Sequence, residues 1–441
     1  LYEGSARVGG KLRAGEVAGM TVDVGAESML NRRPEGVAFA EAIGLTADIV
    51  HPATSKAGIW TRGAVRTLPP NLMGFPADLR ALARSGILTT AGVGRASLER
   101  RLPEPDLSED VGVGLLVAQR LGRDVRDRLV EPLLGGVYAG RADEISLYAA
   151  LPQVLEAVRR YGGLLNAARA TRARTSTRAG VDEVPVFAGI RGGLARLAQG
   201  AADQLVRQGA RIECGSMVRE LTRAPDGWQL VVGPTTRPRQ VDVDAVVLAA
   251  PAPTSARLLR EVAPVAANEL GRIEYASVAL VTVAVRASDM GAELMGSGFL
   301  VPPVDQRVIK AATFSSYKWE WLSGDTVVLR CSIGRHREER DLQRDDSELV
   351  DAAMTDLREA TGLRAPLQDA VVTRWGGGLP QYAVGHLDRV RLIEQSVEAQ
   401  PRLAVCGAAL EGVGLPAVIA NARRAATRVV DQLDVAETME P

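Results

Sequence analysis

The chain has 441 residues, of which 46% are apolar and 24% charged, and its 53 basic and 53 acidic side chains give a formal net charge of zero. This balance argues against a nucleic-acid binder, which usually carries a basic excess, and no apolar run approaches the ~18 residues of a membrane-spanning helix. The length exceeds the ~250–300 residues at which one core stops growing, so two or three domains are expected. Three scattered cysteines without metal-ligand spacing favour a reducing cytoplasm.

The period of the apolar pattern changes along the first half of the chain. Residues 1–60 predict short strands separated by Gly turns, with one strand at 20–25 (MTVDVG). Apolar residues recur at helical intervals from about 75 to 165, so a helical block is expected there. The polar stretch 171–180 (TRARTSTRAG) predicts a linker.

Strand patterns return in the second half. A Gly turn and an amphipathic helix lead to a predicted strand at 210–214, and residues 241–250 (VDVDAVVLAA) predict another that ends at Pro251. Residues 275–333 are rich in β-branched and aromatic residues, which indicates a separate, partly antiparallel sheet. From Arg402 the order strand, Gly turn, helix appears again. We therefore expect an α/β domain interrupted by two insertions.

The opening stretch LYEGSARVGGK contains residues typical of a nucleotide site. Glu3 follows an apolar pair and would accept hydrogen bonds from a ribose, while Gly9 and Gly10 would let backbone N–H groups approach a pyrophosphate that Arg7 and Lys11 attract. A polar Gly turn after a strand is the alternative that these residues leave open. A GxGxxG loop is expected ~20 residues before the acidic residue, and we predict that it is missing from the start of this chain.

A second Gly-rich turn, GAALEGVGLPAVIANA, lies near the other end. Gly407, Gly412 and Gly414 separate a predicted strand from a helix with Pro416 in its first turn. The N-terminus of that helix would present N–H groups to a carbonyl-bearing ring such as a flavin pyrimidine, and an ordinary strand-to-helix connection is the alternative. A further near-match at 112–114 (GVG) follows a polar turn and is expected to belong to a packed helix.

The order and spacing of several motifs resemble the protoporphyrinogen/coproporphyrinogen oxidase family of the flavin amine oxidase superfamily. The resemblance covers nearly the whole chain. The matching stretches are RLVEPLLGGVYAGRADEISLYAALP (128–152), GIRGGLARL (189–197), GSGFLVP (296–302), TFSS (313–316), WGGGLPQYAVGH (375–386) and EGVGLPA (411–417).

This resemblance implies an α/β fold of three domains. A discontinuous Rossmann-like FAD-binding domain would comprise 1–60, 178–268 and 391–441, without its first strand and GxGxxG loop. An inserted helical domain, of a type that associates with membranes in some relatives, would span 61–177. A mixed-sheet substrate domain would span 269–390.

The resemblance also assigns residues to the cofactor, FAD. Glu3 matches the ribose-binding acid, and Val218 the residue whose backbone meets adenine. The phosphate-side turn matches Arg7, Gly9, Gly10 and Lys11. The loop beside the flavin matches Gly25, Ala26, Glu27 and Ser28. The isoalloxazine neighbourhood matches Trp375, Val413, Gly414 and Leu415, and Gly407 in the C-terminal Gly turn is a further cofactor-binding candidate. Amine oxidases often bind flavin covalently through a cysteine in the region of 375–382, where this chain has none, so FAD is expected to be non-covalent.

For the substrate, the resemblance implies that Leu300, Thr313 and Ser332 line a macrocycle pocket. Relatives often have larger apolar residues at the last two positions. Oxidation of a porphyrinogen by FAD with O2 as acceptor needs no strong acid–base pair, and neither a catalytic residue nor a metal ligand is predicted. His386 is expected to be structural. Substrate carboxylates require basic partners, for which the candidates are Arg32, Arg33, Arg62 and Arg66.

The preferred hypothesis is oxidation of coproporphyrinogen III to coproporphyrin III in haem biosynthesis, because the arginine-rich composition resembles that of high-G+C bacteria, and similar proteins of Gram-positive lineages act on this substrate. The alternatives are a protoporphyrinogen IX oxidase, another flavin amine oxidase or carotenoid desaturase, and a scaffold without cofactor. A peripheral contact with the inner face of the cell membrane and handover of product to a ferrochelatase stay open. Because the glycine loop is missing, we expect the chain as written to purify without FAD.

Overall fold

A large mixed sheet, a helical block and a smaller parallel α/β unit make up the fold in a computed structural model, which describes residues 1–178 and 185–439. Its strands are β1 Ala14–Val17, β2 Met20–Asp23, β3 Met29–Leu30, β4 Ile49–Val50, β5 Gly58–Thr61, β6 Ala64–Thr67, β7 Asn71–Leu72, β8 Phe75–Pro76, β9 Phe187–Ile190, β10 Val218–Arg223, β11 Trp228–Val232, β12 Arg239–Val243, β13 Val246–Leu248, β14 Tyr275–Arg286, β15 Gly298–Leu300, β16 Ile309–Thr313, β17 Thr326–Ile333, β18 Leu367–Pro380 and β19 Leu403–Val405.

Along the chain, helices α2 to α9 follow one another between β8 and β9, and most of the others alternate with strands. A π-helical turn at Arg126–Val130 joins the fifth to the sixth. The helices are α1 Pro34–Ala42, α2 Leu79–Ser85, α3 Thr90–Ser97, α4 Val113–Leu121, α5 Arg123–Val125, α6 Glu131–Tyr138, α7 Leu147–Ala150, α8 Pro152–Tyr161, α9 Leu164–Arg178, α10 Ala195–Arg207, α11 Ala252–Leu259, α12 Pro264–Gly271, α13 Ser315–Lys318, α14 Asp346–Thr361, α15 His386–Glu398 and α16 Leu415–Met439.

The large sheet has seven strands within the described residues, in the order β18-β14-β17-β16-β15-β5-β6. All neighbours are antiparallel except β15 and β5, which are parallel. The prediction of a partly antiparallel sheet from 275–333 is therefore confirmed. The sheet also includes β5 and β6, so residues 58–67 belong to the same sheet as the predicted substrate domain. The prediction divides these residues between the FAD-binding domain, which ends at residue 60, and the helical domain, which begins at residue 61.

Strand β14 (YASVALVTVAVR) explains how the sheet is covered on both faces. Its side chains alternate between the faces, as in any strand. Val281, Val283 and Val285 pack in one core with helix α14, whereas Ala284 packs on the other face with the β1–β2 hairpin. This second face is where the predicted substrate residues lie.

The helical block is built from α2 to α9 around a core of its own that includes Leu121, Leu129, Leu147 and Val158. Helix α4 contains the stretch at 112–114, with Gly112 at its N-cap, which confirms that this near-match belongs to a packed helix. The predicted linker is wrong over residues 171–178, because α9 continues to Arg178. Residues 179 and 180 lie outside the described chain.

The α/β unit consists of the parallel pair β13 and β19, helix α16 after β19, and the antiparallel meander β10-β11-β12. The predicted strand 241–250 is two strands, because β12 ends at Val243 and β13 begins at Val246. The strand predicted at 210–214 is wrong. Only an isolated parallel bridge between Tyr2 and Glu213 forms in that described segment.

Candidate functional site

The first three residues run alongside residues 211–216. The Glu3 N–H donates to Glu213 O at 2.9 Å, and Ser216 N–H donates to Glu3 O at 2.8 Å. The Glu3 carboxylate accepts from Ser5 N–H at 2.7 Å through Oε1. One carboxylate oxygen is therefore used to close the turn that follows Glu3.

Arg7 holds the glycine turn through its guanidinium, which donates to Gly10 O at 2.8 Å and to Leu12 O at 3.2 Å. Gly9 has φ +99°, and a Cβ built there would lie 2.4 Å from Ala198 Cβ on α10, so only glycine allows this approach. On the other side, a Cβ on Gly10 would meet open space. The turn thus packs on α10 and leaves backbone accessible at Gly10.

Val218 begins the meander near this turn. Its side chain packs with Tyr2 in the core of the α/β unit, and its carbonyl accepts from Arg257 Nη2 at 2.9 Å. The predicted contact between adenine and the Val218 backbone would therefore share that carbonyl with Arg257.

Lys11, Gly25, Ala26 and Trp375 come together below the turn. Ala26 N–H donates to Lys11 O at 3.1 Å, and a Cβ on Gly25 would lie 1.9 Å from the same oxygen. The Trp375 indole donates to Val24 O at 2.9 Å, with its ring 3.2 Å from that Cβ position. Lys11 is exposed to solvent, and desolvation by the surrounding protein lowers the pKa of its ammonium.

Glu27 connects the loop 25–28 to the large sheet. Its carboxylate lies 2.5 Å from Lys318 Nζ and 3.4 Å from Arg330 Nη1, and Lys318 Nζ also donates to Ser28 Oγ at 3.4 Å. Arg330 donates in addition to Gly25 O at 2.9 Å. Burial favours the neutral carboxyl, but Arg330 and Lys318 outweigh it and hold the pKa of Glu27 at about 2. Glu27 is therefore ionised throughout the neutral range.

Asp23 connects the same loop to α10. Its carboxylate accepts from Leu194 N–H at 2.9 Å and from Ala195 N–H at 3.4 Å, at the N-terminus of that helix. Burial raises the pKa of Asp23 to about 6, against the effect of these backbone donors. The loop 23–28 is thus held between α10 and the sheet.

The predicted substrate residues share one face of the sheet. Leu300 is paired with Ala311, and Ala311 with Ser332, so Leu300 and Ser332 lie in one row across three strands. Thr313 is paired with Arg330 in a neighbouring row. Because directly paired residues project to the same side, this face also carries Arg330 beneath the loop 25–28.

The C-terminal turn leads from β19 into α16. Gly407 N–H donates to the Asn421 side chain at 2.9 Å, and a Cβ on Gly407 or Gly414 would meet open space. Val413 packs against the core of the helical block, and Leu415 packs with Leu12 and Met29. Through this cluster the C-terminal turn lies beside Leu12, which follows Lys11, and Met29, which follows Ser28. Three segments that carry predicted flavin residues are therefore close together.

The remaining candidates have partners of their own. His386 is fully buried, stacks on Tyr382 at 4.0 Å and contacts Leu410 O at 2.8 Å, and burial lowers its pKa to about 4. This agrees with a structural role. Of the arginine candidates, Arg33 pairs with Glu35, and Arg62 and Arg66 donate to backbone carbonyls, while Arg32 is exposed.

Sequence reasoning missed Asp23, Lys318 and Arg330. Asp23 and Arg330 each interrupt an apolar strand, MTVDV and TVVLRCSI, and Lys318 is one of four lysines among 53 basic residues. A charge inside an apolar strand requires a buried partner. That rule would have pointed to Asp23 and Arg330 without showing which partners they take, and it does not apply to Lys318, which lies in α13.

Comparison with known proteins accords with this arrangement. The model of the family described as flavin containing amine oxidoreductase matches residues 1–430. The chain belongs to this family. A coproporphyrinogen III oxidase of Mycobacterium bovis (strain ATCC BAA-935 / AF2122/97) is 35% identical over 436 residues, which cover 98% of this chain and 92% of the relative. One of Bacillus subtilis (strain 168) is 26% identical over 437 residues, with the same coverage.

Among solved structures, one from Exiguobacterium sp. 255-15 bears the name of a protoporphyrinogen oxidase. It superposes with a TM-score of 0.84 at 28% identity and covers 98% of this chain and 92% of its own. The family is one of flavin-containing oxidoreductases, so the chain is that of a flavin enzyme with the α/β fold expected. Within the described residues, no helix is long and apolar enough to cross a membrane.

Proposed function

We propose that this protein is an oxygen-dependent, FAD-containing oxidase that converts coproporphyrinogen III to coproporphyrin III in haem biosynthesis and releases H2O2. The observation that carries the proposal is the near-full-length similarity to relatives named coproporphyrinogen III oxidase. The placement of the loop 25–28 above the sheet face with Leu300, Thr313 and Ser332 supports it, because a flavin and a macrocycle would then lie side by side.

The residues present fit a flavin. Gly10, Gly407 and Gly414 leave open space where a side chain would stand, and the first-turn N–H groups of α16 have no acceptor inside the helix. A flat, carbonyl-bearing ring would lie against this helix N-terminus, beside Trp375 and the loop 25–28. The phosphates would lie toward Gly10 and Lys11, and the ribose toward Glu3.

Non-covalent attachment is part of the proposal. Cys406 packs against α16, in a cluster with Ala425 and Val429. Cys331 packs on the α14 side of the sheet, opposite the face that carries Arg330. Cys214 is exposed beside Glu213, at the distant end of the predicted cofactor site. The thiols are thus directed away from the predicted ring position.

Bound flavin would accept two electrons in each of three successive oxidations of the porphyrinogen. The chain would bind and orient the substrate. Leu300 gives the sheet face an apolar surface, and Thr313 and Ser332 offer hydroxyls as hydrogen-bond partners. A Cβ on the exposed Gly136 of α6 would lie 3.3 Å from Leu300 Cδ2, so α6 closes this end of the face. Glu27 is ionised but paired with two cations, so it fixes the loop and accepts no proton at neutral pH.

The test is an anaerobic incubation of the FAD-loaded enzyme with each porphyrinogen, followed by porphyrin fluorescence when air is admitted. We expect faster turnover of coproporphyrinogen III. Protoporphyrinogen IX is the second candidate, because the Exiguobacterium structure bears that name, and faster turnover of this substrate would favour it. Failure to oxidise either compound would refute both assignments. The assay requires neither a ferrochelatase nor a membrane.

A pair of substitutions on one strand tests the substrate face. Ser332→Phe would fill the predicted pocket, and we expect kcat/KM to fall at least about tenfold while FAD affinity is retained. Thr326→Phe is the matched control, since Thr326 lies on the same strand and face, roughly 20 Å away at ~3.3 Å per residue. Equal effects of the two variants would contradict the placement of the substrate.

A further inference from the structure

A small cavity lies between the loop 23–28 and the large sheet. Its size corresponds to roughly one water molecule. The polar groups that line it come from the β1–β2 hairpin and its following loop, from β14 and β17, and from the segment between β16 and β17; they are Asp23, Glu27, Thr282, Ser315, Trp321 and Arg330.

Two of these groups are buried without a hydrogen-bond partner among the described residues: the hydroxyl of Thr282 and the indole N–H of Trp321. The Thr282 residue is only 1% exposed, so bulk water does not satisfy its hydroxyl. Buried polar groups in native proteins are almost always paired, either with protein or with ordered water. Two such atoms lining one cavity indicate a bound polar molecule.

The charges around the cavity identify the chemical class of that molecule. Glu27 is ion-paired with Lys318 and Arg330, and Asp23 adds a second carboxyl group with both oxygens already accepting backbone N–H bonds. A cation would face the Arg330 guanidinium and a Glu27 carboxylate that is already paired, and an anion would face two carboxyl groups. Neither sign of charge is favoured, so the occupant is neutral and polar.

We propose that this cavity binds a single water molecule, which accepts hydrogen bonds from Trp321 Nε1–H and Thr282 Oγ1–H and donates to the carboxylates of Asp23 and Glu27. Four polar partners are available, which is the upper end of what a buried water makes. The water joins the carboxylate that caps α10 to the carboxylate that fixes the loop 25–28. It therefore contributes to the position of this loop, independently of which substrate the enzyme oxidises.

Thermal unfolding of Thr282→Val tests the proposal, because the sign of the Tm change differs between a hydrated and a dry cavity, and Trp321→Phe tests whether the two side chains share one water. If the water is bound, each substitution removes one of its partners, and we expect each Tm to fall by roughly 2–4 °C. The double variant should lose less than the sum, because both side chains bind the same water. In a dry cavity Thr282→Val removes an unsatisfied polar atom with little change in size, and its Tm should rise. Trp321→Phe also removes part of the ring, so its Tm falls in either case, and only its coupling to Thr282→Val is diagnostic.

Thr326→Val on β17 is the control for the intrinsic effect of replacing threonine by valine in this sheet. A Tm increase for Thr282→Val relative to this control, or fully additive effects in the double variant, overturns the proposal. A high-resolution crystal structure gives a second measurement: density for one water with the four contacts supports it, and an ion or no density at that position refutes it. None of these readouts depends on the proposed enzymatic activity.

Discussion

Replacing Arg330 by methionine should destabilise the protein more than any exposed charge substitution would. The Arg330 guanidinium donates to Asp23 O at 3.2 Å and to Gly25 O at 2.9 Å, and it lies 3.4 Å from the Glu27 carboxylate. Hydrogen bonds to a charged group contribute about 1.5–3 kcal/mol each, and removing one partner of a buried ion pair costs about 3–5 kcal/mol. Since Lys318 still pairs with Glu27, we expect a loss of about 3–5 kcal/mol in the free energy of unfolding.

Urea denaturation of the FAD-free protein, followed by tryptophan fluorescence, measures this loss, because Trp319 and Trp321 belong to the same region. Arg374→Met is the matched control. Arg374 lies on β18, on the opposite face of the sheet, is 39% exposed, pairs with Asp346 and donates to Leu342 O and Arg344 O, so its loss should cost about 1–2 kcal/mol. Equal losses in the two variants would refute the view that Arg330 fixes the loop.

The same substitution has a pH signature. Glu27 has a pKa of about 2 in the folded protein and an ordinary value of 4.5, so it contributes stability that is present above pH 4.5 and is lost as the pH falls through 2. In Arg330→Met the folded pKa rises toward its ordinary value. The variant should therefore lose less stability than the wild type on acidification from pH 4.5 to 2.

Three further changes have distinct expected outcomes. Gly25→Ala would place a Cβ 1.9 Å from Lys11 O, so urea denaturation should show a loss of about 3 kcal/mol or more, whereas Gly376→Ala, which faces open space, should change the free energy of unfolding by less than about 1 kcal/mol. Gly414→Val should leave the Tm of the FAD-free protein within about 2 °C and weaken FAD binding at least about tenfold in a fluorescence titration; unchanged affinity would contradict the predicted ring position. For Asp23, whose pKa is raised from 3.8 to about 6, the contribution to stability is present below pH 3.8 and lost as the pH rises through 6, so Asp23→Asn should abolish a decrease of up to about 3 kcal/mol between these values, measured by urea denaturation across that range.

The sequence was sufficient for the fold class because the apolar pattern is strong where strands are buried on both faces. Residues 275–286 and 326–333 are rich in β-branched residues, and they form adjacent strands of the large sheet. The linker prediction failed over 171–178 because a polar, arginine-rich stretch lacks an apolar period, although arginine favours helices. The local composition of this stretch was compatible with a linker and with a helix.

The sequence indicated which residue types a candidate site would use, but not the contacts that these residues make within the protein. Gly9 and Gly25 were singled out as residues beside a cofactor, yet the close approaches that require glycine are to Ala198 and to Lys11 O. Arg7 was assigned to phosphate, whereas its guanidinium donates to the carbonyls of its own turn. A sequence pattern shows which residue types are present, but it does not show which atoms a side chain will reach after the distant segments pack.

The parallel pairing of β5 with β15 has a consequence for synthesis of the protein. Ile59 and Leu300 are paired, although roughly 240 residues separate them, so at about 5–20 residues per second the ribosome needs roughly 12–48 s to supply the partner of β5. During that interval the β5–β6 hairpin lacks its neighbour, and the Trp60 side chain is left without Phe299, against which it packs in the finished sheet. An unpaired strand edge with apolar side chains is a site of aggregation. Yield on expression should therefore depend on chaperones that act on the nascent chain as well as on the stability of the folded protein.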